Sequence, residues 1–417
     1  MVKENRLETG SGKDALLYDV VIVGAGMSGS LFALFLLKQN KHLKVLLLDE
    51  NPERIESLTQ SNNPSFDSRC IALSAGSVDI LNELKIWQEI KSDAQAIQQI
   101  QVSDKGYFGA ADLLPGSGQS AFGYVVALQY VGKVLARALS SFPSLTVLHN
   151  AKLETMQQQL AFVRCQLSNG STIKASLCVG ADGSNSQVRE LAKIEAAHTD
   201  YQRSAIICNV RCSKPHLNVA YERFTESGPI ALLPLTDNRY SLVYCIKNES
   251  VKQVEGLNDE QFLQQLQQCF GYRAGVFEEA GKRDIYPLSL LKTKQPIAHR
   301  VVCIGNAAHS LHPVAGQGFN LGLRDLYVLA NVITTTEPNE VGSFSMLNRY
   351  WKYRKADHNK TILMTDSLVR LFSNNYQILS VPRTIGLQAI TLFPFLSQPI
   401  IEQAKGQFDL FNRENLS

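Results

Sequence analysis

The run Gly24-Ala25-Gly26-Met27-Ser28-Gly29 is the first in the chain whose spacing could do chemistry. Glycines spaced this way can cradle a phosphate. Gly24 permits a tight turn, Gly26 lets the backbone approach a pyrophosphate, and Gly29 lets a helix pack close to a strand. The run needs a strand–helix–strand setting, and the flanking residues supply one. Residues 18–23 are apolar and rich in β-branched side chains, the pattern of a buried parallel strand. Residues 30–39 read as an apolar helix, and residues 43–48 as a second buried strand ending in Asp49. The helix start offers free N–H groups and partial positive charge to phosphates. Asp49, 20 residues after Gly29, can accept hydrogen bonds from a ribose. The competing reading is an ordinary glycine turn before a core helix; the two strands and the terminal acid argue against it. FAD and NAD both use such a unit, so it does not choose between them.

Three later runs add to it. Phe66-Asp67-Ser68-Arg69 precedes Ile71-Ala72-Leu73-Ser74. Val179-Gly180-Ala181-Asp182-Gly183-Ser184-Asn185-Ser186 is followed by Arg189. Val301-Val302-Cys303-Ile304-Gly305-Asn306-Ala307-Ala308-His309 continues to His312-Pro313-Val314-Ala315-Gly316-Gln317-Gly318-Phe319-Asn320. Residues 301–304 read as a buried strand that Gly305 ends, with a helix beginning after the Gly316-Gln317-Gly318 turn. The N–H groups of such a turn suit a flavin pyrimidine carbonyl, which gains negative charge when the ring is reduced. Asn320 lies in the same turn and can add its own backbone N–H. On spacing alone, Asp182-Gly183 is a plain turn after a strand at 177–179, and Arg69 a surface cation.

With these four motifs in this order, the chain resembles the FAD-dependent aromatic hydroxylases, the group that contains p-hydroxybenzoate hydroxylase. The resemblance spans nearly the whole chain. Within the group it is most similar to the ubiquinone-biosynthesis hydroxylases that act on 2-polyprenyl-6-methoxyphenol. Val102-Ser103-Asp104-Lys105-Gly106, Glu222-Arg223-Phe224-Thr225, the run 228–234 and the run 315–322 carry that closer likeness, with Thr365-Asp366-Ser367-Leu368-Val369 near the end. Many relatives have Asp where this chain has Asn306; an amide oxygen still accepts a ribityl hydroxyl but carries no charge. Asn is common at that position in the ubiquinone-pathway group.

The resemblance implies FAD as cofactor, NAD(P)H as electron donor and O2 as co-substrate. It implies that Gly24, Gly26, Gly29 and Asp49 hold the nucleotide end of FAD, and that Arg69, Asp182 and Asn306 lie along its pyrophosphate and ribityl chain. Gly316, Gln317, Gly318, Phe319 and Asn320 would surround the flavin ring. Gln129, after a strand at 124–128, falls where relatives place a polar residue on the flavin. A forked Arg69 guanidinium suits phosphate. The implied reaction turns 2-polyprenyl-6-methoxyphenol into 2-polyprenyl-6-methoxy-1,4-benzoquinol. The cofactor carries the hard chemistry, so the protein must position an electron-rich ring and exclude water. Ionising the phenol helps, and the sequence does not identify the base. Pro313 is expected to shape the loop beside the flavin, with His312 a candidate catalytic residue. His309, Tyr221 and Tyr244 are weaker candidates; for the two tyrosines packing is the stronger reading. The alternatives are a sibling hydroxylase of another ring position, a hydroxylase of small tail-free aromatics, and a flavoprotein subunit in which FAD is structural.

The elements that position these residues follow from pattern. The fold class is α/β: a Rossmann-like FAD-binding domain, a second domain of mainly antiparallel sheet, and a helical C-terminal region. The FAD domain is discontinuous over 18–93, 125–197 and 296–345, the substrate domain covers 94–124 and 198–295, and 346–417 is helical. Residues 1–17 read as a loose extension without a signal peptide. Strands are expected at 205–212, 219–225, 228–234 and 239–246, with a turn at Thr236-Asp237-Asn238. A helix at 259–270 is capped by Asn258 with Gln261. The 417 residues are 45% hydrophobic and 19% charged, which excludes general disorder, and the net charge of +3 gives no sign of nucleic-acid binding. Eight cysteines without a CxxC pair read as reduced thiols, with no metal set. Residues 384–401 carry no charge, but Pro394 and Pro399 break the run. That segment, and the basic aromatic stretch 349–354, are candidates for contact with lipid or a partner. The expected partners are a polyprenylated phenol, a ubiquinone-biosynthesis protein complex and a membrane surface, in a cytoplasmic protein peripheral at the inner face of the membrane.

Overall fold

Leu16–Val23 (β1) lies at the centre of an eight-stranded sheet because its side chains alternate between two apolar layers. Val20 and Ile22 enter one core cluster, Val21 and Val23 another, and Val20, Val21 and Ile22 have no exposed surface. Such burial on both faces is characteristic of parallel strands. β1 pairs in parallel with Val45–Leu48 (β2) and Thr172–Gly180 (β11). Leu145–Leu148 (β8) adds beside β2, and Val301–Cys303 (β19) beside β11, both in parallel. Ile297–Ala298 (β18) closes that edge, and the hairpin Leu153–Gln158 (β9) and Val163–Leu167 (β10) extends from β11. Helices Met27–Gln39 (α1), Leu128–Leu139 (α3) and Gln317–Thr334 (α5) bury their apolar residues in the cluster that holds Val20 and Ile22.

The structure is a computed structural model and describes residues 16–52, 69–105, 110–116, 121–313, 316–372 and 394–406. The second sheet has nine strands and is mainly antiparallel. Its path runs His309–Ser310 (β20), Asp284–Thr293 (β17), Ala196–Cys212 (β12), Arg239–Lys247 (β15), Gly228–Leu235 (β14), Val219–Thr225 (β13), Gln99–Asp104 (β5) and Ala110–Leu113 (β6), with Phe277–Ala280 (β16) on β12. β13 and β5 are its parallel pair. Asp259–Phe270 (α4) covers one face through Phe262, Leu266 and Phe270, and the Asn258–Gln261 capping box is formed. The turn 236–238 has Asp237 and Asn238 at positive φ, which short polar side chains tolerate. A third, small sheet joins Cys70–Ser74 (β3), Gly123–Ala127 (β7) and Ala94–Ile97 (β4), and Ala75–Glu83 (α2) follows β3. Phe344–Phe372 (α6) and Pro394–Lys405 (α7) form the helical C-terminal segment.

The architecture is the α/β one the sequence implies, with local differences. β12 is 17 residues long and begins at Ala196, nine residues before the expected strand. Its first half is exposed and polar, so alternation does not reveal it; the ladder to β17 holds it, with a register shift between Asp200 and Arg203. Phe66, Asp67, Ser68, Gly106, Val314, Ala315, most of the N-terminal extension and residues 384–393 lie outside the described residues. Among the described residues no helix is long and apolar enough to cross a membrane.

Candidate active site

The glycine run behaves as three different solutions to one packing problem. Gly24 has φ +102°, and a Cβ there would lie 2.5 Å from the Ala181 carbonyl oxygen. At Gly29 a Cβ would lie 1.9 Å from the Gly24 carbonyl oxygen, so the helix sits directly on the turn. Gly26, the N-cap of α1, has no neighbour within 4 Å of such a Cβ. Open space at the one glycine that faces the helix N-terminus is what a pyrophosphate requires. Asp49 is buried at the end of β2 and braces this turn. Its Oδ2 accepts from the Ala25 N–H at 3.1 Å, and its Oδ1 from the Asn51 N–H and side-chain amide, each at 2.9 Å. A carboxylate has about four lone-pair sites, so capacity for a ribose hydroxyl is left.

The second motif packs against the first. Asp182 follows β11 beside Gly24, and its carboxylate accepts from Ser186 Oγ at 2.5 Å and the Val188 N–H at 3.1 Å. That bonding holds the turn ahead of the short helix Gln187–Leu191. Arg189 then reaches across: one guanidinium nitrogen donates to the Ala307 carbonyl at 3.0 Å, another to the Ser184 carbonyl at 2.8 Å. Arg189 therefore ties the second motif to the third. Asn306 is exposed in the turn Gly305–Ala307 after β19. Gly305 has φ +56°, and a Cβ there would meet Ser28 Oγ at 2.5 Å. The Asn306 turn thus lies against the first turn of α1.

The start of α5 completes the neighbourhood. Gly316 caps it in the left-handed region, φ +60°, and a Cβ there would meet Ala72 of β3 at 3.2 Å. Gln317 and Asn320 are buried in the first turn of this helix, and Gly318 and Phe319 lie between them. Asn320 acts as a clamp: its oxygen accepts from the Ser74 N–H at 2.9 Å and Ser77 Oγ at 2.7 Å, and its amide donates to the Ala72 and Gly316 carbonyls, each at 2.8 Å. Arg69 precedes β3, and its guanidinium stands 5.6 Å from the Tyr286 ring centre. Its carbonyl accepts from the Leu128 N–H at 2.9 Å, which places Gln129, exposed in the first turn of α3, close to it along the chain.

His312 and Pro313 lie between β20 and α5. His312 is buried edge-on to Tyr201, 5.3 Å between ring centres, and burial with Arg203 nearby pushes its pKa down to about 4. The ring is neutral at pH 7. Pro313 lines a cavity together with Gly316, Gln317 and Asn320 on the α5 side and an almost wholly apolar patch of the second sheet. His309 belongs elsewhere. Its Nε2 is 3.1 Å from Asp325, a fully buried carboxylate that also receives His358 at 2.8 Å and Arg354 at 2.5 Å. Burial and His358 push His309 down to about 3. Burial alone would raise the Asp325 carboxyl; His358 and Arg354 outweigh it and hold it well below the usual range. His309, Asp325 and His358 have metal-ligand types within 4.8 Å of one another. Arg354 on the same carboxylate would oppose a cation there, so the cluster reads as a brace between α5, α6 and β20.

Tyr221 and Tyr244 pack, and Tyr221 also lines the cavity. Tyr221 stacks edge-on with Tyr240 and Phe270, and the Tyr244 hydroxyl is 3.5 Å from Cys269 Sγ. Glu222 belongs to a run that carries the closer likeness, and the sequence gives it no role of its own; in the structure it lines the cavity. A signal is present in the pattern: in β13, Ala220, Glu222 and Phe224 share one face, so the acid stands where alternation expects an apolar residue.

An open phosphate cradle at α1 and the start of α5, with Gly305 packed against Ser28 of the first helix and Gly322 of the second, fit an FAD. Residues 17–363 match the model of the FAD binding domain family. The chain belongs to this family, and with it to the FAD-dependent aromatic monooxygenases. Among curated relatives it is similar to ubiquinone hydroxylase UbiL of Rhodospirillum rubrum, 33% identical over 94% of this chain and 90% of that one. It is also similar to the 3-demethoxyubiquinol 3-hydroxylase of Escherichia coli, 30% identical over 93% and 98%. The human mitochondrial ubiquinone biosynthesis monooxygenase COQ6 is 29% identical over 94% and 93%. The crystal structure of p-nitrophenol 4-monooxygenase PnpA from Pseudomonas putida shares the fold, with a TM-score of 0.78, 17% identity and coverage of 95% of this chain and 100% of that one.

Proposed function

We propose that this protein hydroxylates the ring of a polyprenylated phenol in ubiquinone biosynthesis, with NAD(P)H as electron donor and O2 as the oxygen source. The observation that carries the reading is the cavity, apolar along the second sheet and reaching Pro313 and the start of α5. An apolar chamber suits a prenylated ring, and a helix N-terminus beside it suits the charge a reduced flavin gains. Gly24, Gly26, Gly29 and Asp49 would hold the nucleotide half of FAD. Arg69, Gln129, Asp182 and Asn306 would follow its middle, and the backbone from Gly316 to Asn320 its ring. FAD supplies the two-electron reduction of O2 and delivery of one oxygen atom. The chain's own work is to orient the ring, exclude water through the apolar wall, and manage the phenolic proton.

Our specific assignment is 2-polyprenyl-6-methoxyphenol to 2-polyprenyl-6-methoxy-1,4-benzoquinol. A second reading, hydroxylation at another ring position, is favoured by the Escherichia coli relative, whose name specifies position 3 of demethoxyubiquinol. Association with a biosynthetic complex or a membrane surface would shorten the exposure of the prenyl tail to water. Tail dependence tests the substrate class. Each buried CH2 contributes about 0.8 kcal/mol, so one isoprenyl unit inside the cavity should change kcat/KM by at least about tenfold. Equal or faster turnover of tail-free phenols would contradict the prenyl assignment.

A further inference from the structure

We propose that Glu222 is the catalytic base of the hydroxylation, taking the proton of the substrate's phenolic hydroxyl as the ring gains oxygen. The proposal rests on the phenol-hydroxylase reading above and adds the base that the sequence does not identify. Glu222 lies mid-strand in β13, opposite Val102 of β5 on one side and Ala231 of β14 on the other. Ala231 in turn faces Val243 of β15. All four residues line the cavity, so a single carboxyl stands in an apolar row. The same cavity is lined by Pro313, Gly316 and Gln317, which places the acid and the α5 start around one space. Glu222 keeps some accessible surface because it lines this space, yet its Oε1 is buried and makes no hydrogen bond among the described residues.

That geometry is costly for a merely structural acid. A buried polar group without a partner destabilises a fold, and an apolar residue of similar size would fill the row better. Burial raises the Glu222 carboxyl to about 8, and no neighbouring charge is a cause of the shift. Among the described residues, the titratable groups disposed around it are Tyr221, which lines the same cavity, Asp104, two register positions along β5, Cys245 on β15, and Arg203 on β12 near Cys245; β14 offers none. A phenol has a pKa of about 10 and an ordinary Glu about 4.3. The raised carboxyl narrows that mismatch to roughly two units, close to what efficient general-base transfer requires.

The proton step balances simply. The phenolic O–H bond breaks as a carboxyl O–H bond forms. The electron pair left on oxygen is donated into the ring, where a carbon bonds one oxygen atom as the O–O bond breaks. That carbon then loses its hydrogen as a proton and the ring regains aromaticity. NAD(P)H supplies the two electrons, one further proton is consumed, and the second oxygen atom leaves as water.

The test compares FAD-loaded wild type, Glu222→Gln and Glu222→Asp with a prenylated methoxyphenol. We expect wild-type kcat/KM to rise with pH to a plateau above about 8. Glu222→Gln should lose roughly 100-fold in kcat with KM changed less than about threefold. Its remaining rate should follow the phenol's own ionisation near about 10. Glu222→Asp should restore part of the rate. Independently of turnover, infrared titration should show a protonated carboxyl band that disappears near pH 8 in wild type and is missing from Glu222→Gln. Wild-type rates and pH profile in folded, FAD-loaded Glu222→Gln would overturn the proposal alone. So would absence of that band. A wild type that makes no hydroxylated product would overturn the functional reading, and the proposal with it.

Discussion

Gly26 and Gly29 stand on the same turn and answer differently to one methyl group. At Gly26 the space is open and the backbone is extended, so Gly26→Ala should fold with stability within about 0.5 kcal/mol of wild type. Its methyl would occupy the phosphate approach, and FAD affinity should fall at least about tenfold. Gly29→Ala must displace the Gly24 carbonyl and should cost about 1–3 kcal/mol or more. Melting curves and flavin fluorescence on release separate the two effects. Glu222 carries a second prediction, in pH. Its folded carboxyl, near 8, lies above the ordinary 4.5, so the folded state holds the proton more tightly than the unfolded chain. That contribution is fully present below about pH 4.5 and is lost as pH rises towards 8. Glu222→Gln should therefore gain stability relative to wild type across that range, by on the order of 4 kcal/mol at the top. A difference between the two that does not vary with pH in urea titrations would contradict it. At this scale the glycines are legible because their spacing itself encodes the turn. The role of Glu222 is only half legible: alternation with Ala220 and Phe224 marks an acid on an apolar face, but not that this face borders a cavity.

Elements are held in place here by side chains that bridge between them. Asn320 fastens β3 and α2 to the start of α5, Arg189 fastens the Asp182 turn to the Asn306 turn, and Asp325 fastens α5 to α6 and β20. Asp325 is the clearest to test. Asp325→Asn removes the charge that Arg354 and His358 share, and leaves a fully buried guanidinium with Asp357, 2.7 Å away, as its remaining acidic partner among the described residues. Breaking a buried ion pair in this way costs about 3–5 kcal/mol. Urea unfolding should show that loss, and a variant within about 1 kcal/mol of wild type would remove the brace from the account. Helix 259–270 is readable to the residue because its cap, its apolar face and Gly271 agree. The first half of β12 is not, since Ala196–Asp200 is exposed and its ladder to β17 leaves no apolar alternation to read.

At the scale of the molecule, three segments distant in sequence pack against one another: 24–29, 180–189 and 305–307. Each carries a glycine turn at a strand end, so the family resemblance alone implies their gathering. It does not imply the cavity beside them. The walls of that cavity come from β5, β6, β13, β14 and β15 of the second sheet, from β3, β4 and β7 of the third, and from the Pro313 turn, the start of α5 and Ala404 of α7, and a single residue slip in any of those strands would present the opposite face. An FAD bound beside that cavity would make the chain an oxygen-inserting enzyme for a prenylated ring. The most direct test is incubation of the FAD-loaded protein with 2-polyprenyl-6-methoxyphenol, NAD(P)H and isotopically labelled O2, followed by product mass and ring position. One labelled oxygen in the product, para to the existing hydroxyl, is the expected result. Consumption of NAD(P)H with peroxide formed and no label in the ring would contradict it.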